Sequence, residues 1–135
     1  MLWTNLALLF LRLVVGILFV GHGTQKAFGW FGGVGFKGMT GWLASMGIKP
    51  APVHAAIAAT FETLGGLLLI LGVETWLGAA MIVAVMLVAI KTVHLAKGVW
   101  NSNGGYEYPL TLIAVALLLA ATGPGTYTLP ALLHS

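Results

Sequence analysis

Apolar residues along this chain form four long stretches, separated by short polar or glycine-rich segments. The stretches cover residues 4–28, 52–72, 76–97 and 107–122. Each is about 16–25 residues long, close to the ~20 residues with which an α-helix crosses ~30 Å of hydrocarbon. The pattern therefore predicts an all-α integral membrane protein, in which four membrane-spanning helices form a bundle within one domain.

The segment between the first two spans also has helical periodicity. Phe36, Met39, Leu43 and Met46 recur at intervals of three or four residues, and tryptophans lie nearby on the same segment. This spacing predicts a short amphipathic helix at the membrane surface, anchored by its tryptophans. The alternative is an ordered loop without a helix.

The composition agrees with lipid as the solvent and excludes several classes of function. Hydrophobic residues make up 59% of the chain and charged residues 7%, whereas a soluble domain carries about 25% charged residues. The absence of cysteine excludes disulfide exchange and thiolate metal sites. No zinc or other metal motif is present, and the six basic residues are too few and too scattered for a nucleic-acid surface.

The lysines indicate an orientation in the membrane. Four spans place both termini on one side, the terminal face, and put segments 29–52 and 98–106 on the other, the loop face. Lys26, Lys37, Lys49 and Lys97 all lie at or near the loop face. By the positive-inside rule, the loop face is expected in the cytoplasm and both termini outside.

Ionisable side chains within the spans are candidates for function, because a charge in hydrocarbon is costly. In chain order they are Arg12, His22, Lys26, Glu62, Lys91, His94 and Glu107. At 1.5 Å per residue, all except Arg12 lie in the half of the bundle nearer the loop face, with Glu62 about 15 Å deep. The sequence therefore predicts a polar cavity that opens at the loop face and has Glu62 near its floor.

Small residues favour close packing around these groups. Gly16 and Gly23 lie on the same side of the first span as Arg12 and Lys26, and alanines and glycines flank Glu62. Such residues let membrane helices approach closely, so Glu62 is expected to point into the bundle.

Each polar residue also has a structural interpretation. Glu62 could form an ion pair with Arg12 or with Lys91, and this pattern does not choose between them. Lys26 and Lys91 could extend towards the membrane surface, and Glu107 could be favoured by the dipole at a helix start. His22 and His94 could be hydrogen-bonded core residues.

The order of several short motifs resembles the DoxX family. The motifs are RLVVG at 12–16, GHGTQK at 21–26, ETLGG at 62–66, His94, Glu107 and GPG at 123–125. The resemblance covers nearly the whole chain. It implies a small four-helix protein of the bacterial inner membrane, in a family whose members are described as oxidoreductases or quinol oxidase subunits, some linked to soluble redox enzymes.

The leading hypothesis is a membrane subunit that supports quinone-linked electron transfer or oxidative-stress redox chemistry. It would have no redox centre of its own and would need a soluble or membrane redox partner. His22 and His94 would contact the quinone headgroup, Glu62 would relay protons, and Lys26 or Lys91 would stabilise reduced, anionic forms. Arg12 and Glu107 complete the predicted substrate-binding set. Haem b held by His22 and His94 is a weaker variant.

Two other classes of function fit the same residues. In a small proton- or anion-coupled transporter, Glu62 would alternate between a proton and a substrate. In a scaffold without chemistry, the polar residues would only hold the bundle together while a partner docks at the loop face.

Overall fold

The computed structural model describes all 135 residues and contains helices but no strands. The α-helices are α1 Leu2–Phe28, α2 Gly35–Ser45, α3 Ala51–Leu71, α4 Thr75–Ala89, α5 Glu107–Thr122 and α6 Leu129–Leu133. After Ala89 the chain continues as a π-helix, Ile90–His94, and a 3₁₀-helix, Leu95–Lys97. The predicted all-α class is confirmed, and so is the short helix between the first two spans.

Three helical segments are long and apolar enough to cross a membrane. They are Leu2–Phe28, Ala51–Leu71 and Thr75–Lys97, with mean hydropathies of 2.1, 1.6 and 2.1. α5 is equally apolar in character but has 16 residues, a length of about 24 Å. Many large apolar side chains on these helices face outward, including Phe10, Leu87 and Leu117. This outward apolar surface is what a bilayer solvates, so the chain is a multi-pass membrane protein.

The four long helices pack in the spatial order α1, α3, α4, α5, and α2 lies against α1 and α3. One apolar core runs through the bundle, with Phe19, Leu69, Ile82 and Leu119 among its most enclosed members. A second, smaller cluster joins α2 to the start of α3. The arrangement puts both chain ends on one face of the bundle. Which face meets the cytoplasm stays a prediction.

Glycines bring the backbones of α1 and α3 into direct contact. A Cβ atom added at Gly16 would lie 2.7 Å from the carbonyl oxygen of Gly66, and one added at Gly66 would lie 2.6 Å from that of Gly16. Gly23 packs in the same way against Thr63 of α3. The helices can approach this closely only because these positions carry no side chain.

Adding a single methyl group at this contact should therefore push the two helices apart. Gly16→Ala is expected to lower the free energy of unfolding by about 1–3 kcal/mol, the usual cost of overpacking. Gly21→Ala on the same helix is the matched control, since a Cβ there meets nothing within 4 Å. It is expected to be neutral or to stabilise α1 by up to about 1 kcal/mol. Thermal unfolding in detergent, followed by circular dichroism, measures both; equal losses would contradict the close contact.

Candidate functional site

A buried ion pair joins α1 to α3. Nζ of Lys26 donates to both carboxylate oxygens of Glu62, at 2.6 Å each. The side chain of Glu62 is only 2% exposed and that of Lys26 is 25% exposed. Glu62 therefore pairs neither with Arg12 nor with Lys91, and both pairings considered from the sequence are wrong.

The position of this pair follows from the packed faces of the two helices. Arg12 and Phe19 are buried, and Lys26 continues the same face seven residues further on. Glu62 lies between Ala59 and Gly65 on the buried face of α3. A lone carboxylate there would be costly, and the ammonium group of Lys26 offsets that cost by pairing with it. The expected open cavity does not reach Glu62, because the helices and Lys26 enclose it.

Arg12 has a different set of partners. Its guanidinium donates to the carbonyl oxygens of Leu69 and Ile70 at the end of α3, at 2.8 and 3.1 Å. It also donates to those of Pro124 and Tyr127 after α5, at 3.0 and 2.8 Å. The side chain is 1% exposed. Arg12 thus ties three parts of the chain together at the terminal face.

The glycine that ends α3 leaves room for this guanidinium. Gly72 has φ 69°, in the left-handed region that favours glycine. A Cβ there would lie 2.7 Å from Nη2 of Arg12. One glycine therefore both ends the helix and lets Arg12 reach the carbonyl groups of its last turn.

His94 and Glu107 hold the second loop. Nδ1 of His94 lies 2.7 Å from the carbonyl oxygen of Gly104; because a carbonyl only accepts, Nδ1 carries the hydrogen. A carboxylate oxygen of Glu107 accepts from the backbone N–H of Asn101 at 2.9 Å. No hydrogen bond links either residue to the Lys26–Glu62 pair.

Loss of either contact should loosen this loop. His94→Ala is expected to raise amide hydrogen exchange in residues 101–105, because the bond to Gly104 is lost. His54→Ala, on an exposed histidine at the start of α3, is the control and should leave exchange in that loop unchanged. Hydrogen exchange with mass spectrometry measures both variants; unchanged exchange in His94→Ala would contradict the role given to His94.

Lys91 lies in the π-helical turn and is exposed, and no salt bridge or side-chain hydrogen bond involves it. π-helical turns occur often at functional sites, but here the turn does not direct Lys91 towards Glu62. Its exposure fits the alternative interpretation of a lysine that extends towards the membrane surface.

His22 is exposed on the outside of α1. The next residue, Gly23, packs against α3, and one residue turns a helix by about 100°. The side chain of His22 therefore points to the side of α1 at the outer surface and not into the bundle, and the expected inward convergence of His22 with Glu62 is wrong.

The side chain of His22 lines a groove of about 500 Å³ on the outer surface of the protein. Ile17, Leu18 and Val20 form much of its wall, with His22 and Gln25 as its polar members. Phe31 and Ile70 complete it. Of the predicted site, the structure thus joins Lys26 to Glu62 and places His22 separately, about one helical turn from Lys26 on the same helix.

Two residues of the groove were missed from the sequence. Nε2 of Gln25 donates to the carbonyl oxygen of Phe31 at 3.2 Å, which holds the loop after α1 against the helix. Phe31 has φ 52°, a left-handed conformation that is rare for a bulky residue. The sequence contains no signal for such a turn. Gln25 could have been noticed, because a polar residue in the last turn of an apolar helix is unusual.

Comparison with known proteins places the chain among membrane proteins. A sequence model described as DoxX matches residues 7–95, more than half of the chain. "Putative oxidoreductase CatD" of Bacillus subtilis is 30% identical over 115 residues, covering 84% of this chain and 78% of the relative. "Inner membrane protein YphA" of Escherichia coli is 27% identical over 130 residues, covering 90% and 86%. No solved structure matches the chain significantly.

Proposed function

Since the chain belongs to the DoxX family, we propose that it is a subunit of a redox system in the bacterial inner membrane, which binds a quinone beside His22. One observation carries this proposal: an imidazole lies in an apolar groove on the outer surface of α1, one helical turn from a buried ion pair. The relative named as an oxidoreductase supports the redox assignment.

The groove has the properties that a quinone requires. Its volume of about 500 Å³ is in the ~300–1,000 Å³ range of small-molecule sites. Its walls are mostly apolar and face the bilayer, so a ring can enter sideways while an isoprenoid tail stays in lipid. A ring N–H of His22 can donate to a quinone carbonyl oxygen. The amide oxygen of Gln25 can accept from a quinol hydroxyl, because its nitrogen is bound to Phe31.

Reduction of a quinone to a quinol consumes two electrons and two protons. The electrons come from a partner redox enzyme, for which the exposed Lys37, Lys49 and Lys97 offer a basic surface on the loop face. His22 supplies a proton to the quinone oxygen. Lys26, which is partly exposed, and Glu62 behind it return a proton from the loop face to His22 after each transfer, so that both protons pass through His22. The positive charge of Lys26 favours the anionic intermediate. In this proposal His94 and Glu107 act indirectly, by ordering the loop 98–106.

Quinone binding can be tested on the purified protein. In nanodiscs, His22→Leu is expected to weaken quinone binding about threefold to tenfold, because the donor to the carbonyl is lost. His54→Leu is the matched control, since His54 is also an exposed histidine but lies outside the groove. Quenching of tryptophan fluorescence by added ubiquinone and menaquinone measures the affinity. A wild-type protein that binds neither quinone, or equal affinities in both variants, would refute the proposal.

A scaffold without chemistry is the second candidate, favoured by one observation. Arg12, Lys26, Glu62, His94 and Glu107 all have partners within the chain. Exchanging the pair as a unit, Lys26→Glu with Glu62→Lys, separates the two candidates. A scaffold would keep both its partner and its support of quinone reduction in membranes, whereas a proton relay would lose its support of quinone reduction. The haem hypothesis needs His22 to face inward, and His22 is exposed on the outer surface. The transporter hypothesis needs an open path to Glu62, which is 2% exposed and paired with Lys26.

A further inference from the structure

We propose that the groove beside Arg12 at the terminal face binds the headgroup of an anionic phospholipid. This site is separate from the one beside His22. The proposal rests on the charge of Arg12, on the groups around it and on the shape of the groove.

Arg12 has no acidic partner. The chain has three acidic side chains: Glu62 binds Lys26, Glu74 accepts from Nε1 of Trp76 at 2.8 Å, and Glu107 accepts from a backbone N–H group. The four groups that Arg12 contacts are neutral carbonyls. The dipoles at the C-terminal ends of α3 and α5 offset part of the positive charge of Arg12, but no carboxylate side chain neutralises it.

A groove of about 480 Å³ adjoins this charge. Arg12 lines it together with Thr126 and Thr128, and its apolar wall includes Leu9 and Leu71. Arg12 uses four N–H groups in the bonds above, and a guanidinium has five. Because Arg12 is only 1% exposed, its fifth N–H group is enclosed and its charge acts on the groove without a direct hydrogen bond. The threonine hydroxyl groups are the donors suited to phosphate oxygens.

The membrane setting identifies the class of ligand. The groove lies at the terminal face, where α1 and α3 meet the segment after α5, and Leu132 of α6 forms part of its outer edge. Leucines there suit acyl chains, while the charge and the hydroxyl groups suit an anionic head. A phospholipid with a net negative charge, such as phosphatidylglycerol, combines both properties.

Two neighbouring leucines of α6 provide a matched test. Leu132 lines the groove and is 70% exposed; Leu133 does not line it and is 71% exposed. The wild type in nanodiscs of phosphatidylcholine with phosphatidylglycerol is expected to unfold several degrees higher than in phosphatidylcholine alone. It should also retain phosphatidylglycerol in native mass spectrometry. Leu132→Trp should lose the bound lipid and most of the shift, and Leu133→Trp should keep both.

Further measurements distinguish lipid binding at this groove from other causes of a higher unfolding temperature. If Leu132→Trp keeps the full shift, the lipid acts elsewhere, for example at the lysines of the loop face, and the proposal is wrong. If inorganic phosphate in phosphatidylcholine nanodiscs reproduces the shift, the site takes a free anion and the lipid assignment is wrong. Leu9→Trp narrows the same groove from α1 and provides a second variant should Leu132→Trp not fold.

Discussion

Replacing Arg12 with leucine is expected to lower the free energy of unfolding by at least about 3 kcal/mol, because buried carbonyl groups then lose a charged donor. Four carbonyl oxygens accept from Arg12, at the end of α3 and in the segment after α5. Water cannot easily replace the guanidinium, since the side chain is almost fully enclosed. Unfolding by sodium dodecyl sulfate, followed by circular dichroism, measures the loss.

Two comparisons make this prediction specific. Arg12→Lys keeps the charge but lacks the planar fork that reaches several carbonyls at once, so it should recover only part of the stability. Lys97→Leu, at an exposed basic residue without a hydrogen-bonded partner, should change stability by less than about 0.5 kcal/mol. Full recovery by Arg12→Lys would mean that charge alone, and not the set of four bonds, stabilises this end of the bundle.

Removing Lys26 and removing Glu62 should lower the free energy of unfolding by different amounts. Lys26→Met leaves the carboxyl group of Glu62, which is 2% exposed, without its partner, and this change is expected to lower the free energy of unfolding by about 3–5 kcal/mol. Glu62→Leu leaves Lys26 without a partner, but Lys26 is 25% exposed and can extend towards the loop face. Glu62→Leu should therefore lower the free energy of unfolding by less than Lys26→Met does. The double variant Lys26→Met with Glu62→Leu has two apolar residues at these positions, and its free energy of unfolding should lie within about 1 kcal/mol of the wild-type value.

A double-mutant cycle in detergent gives all three values. Equal losses for the two single variants would show that Glu62 is no more enclosed than Lys26. A double variant as unstable as Lys26→Met would show that packing, and not charge, dominates at this position. If the double variant folds normally but no longer supports quinone reduction, the pair is needed for function and not for stability.

Periodicity in the sequence was sufficient for the helices and for the buried face of α1. Arg12, Phe19 and Lys26 recur every seven residues, and the structure places all three on the side of α1 that faces the bundle. Gly16 and Gly23 do pack against α3 as their spacing predicts. These features depend on one helix at a time, or on two helices in simple contact, so the pattern along the chain contains them.

The partners of the polar residues could not be predicted in the same way. Arg12 binds backbone oxygens, which every residue has, so no residue type in the sequence marks them. The contact of His94 with Gly104 depends on how the loop after Lys97 folds back. His22 was expected inside because it lies near Lys26 around the helix, yet the adjacent Gly23 occupies the position that faces α3.

The short length of α5 has a consequence for the surrounding lipid. At about 24 Å, this helix is about 6 Å shorter than a typical hydrocarbon layer, and it packs mainly against α4 at one edge of the bundle. Its ends are fixed by Glu107 and by Gly123, so it cannot lengthen to match its surroundings. We expect the lipids that border it to shorten instead, so that the bilayer is thinnest on the α5 side of the protein.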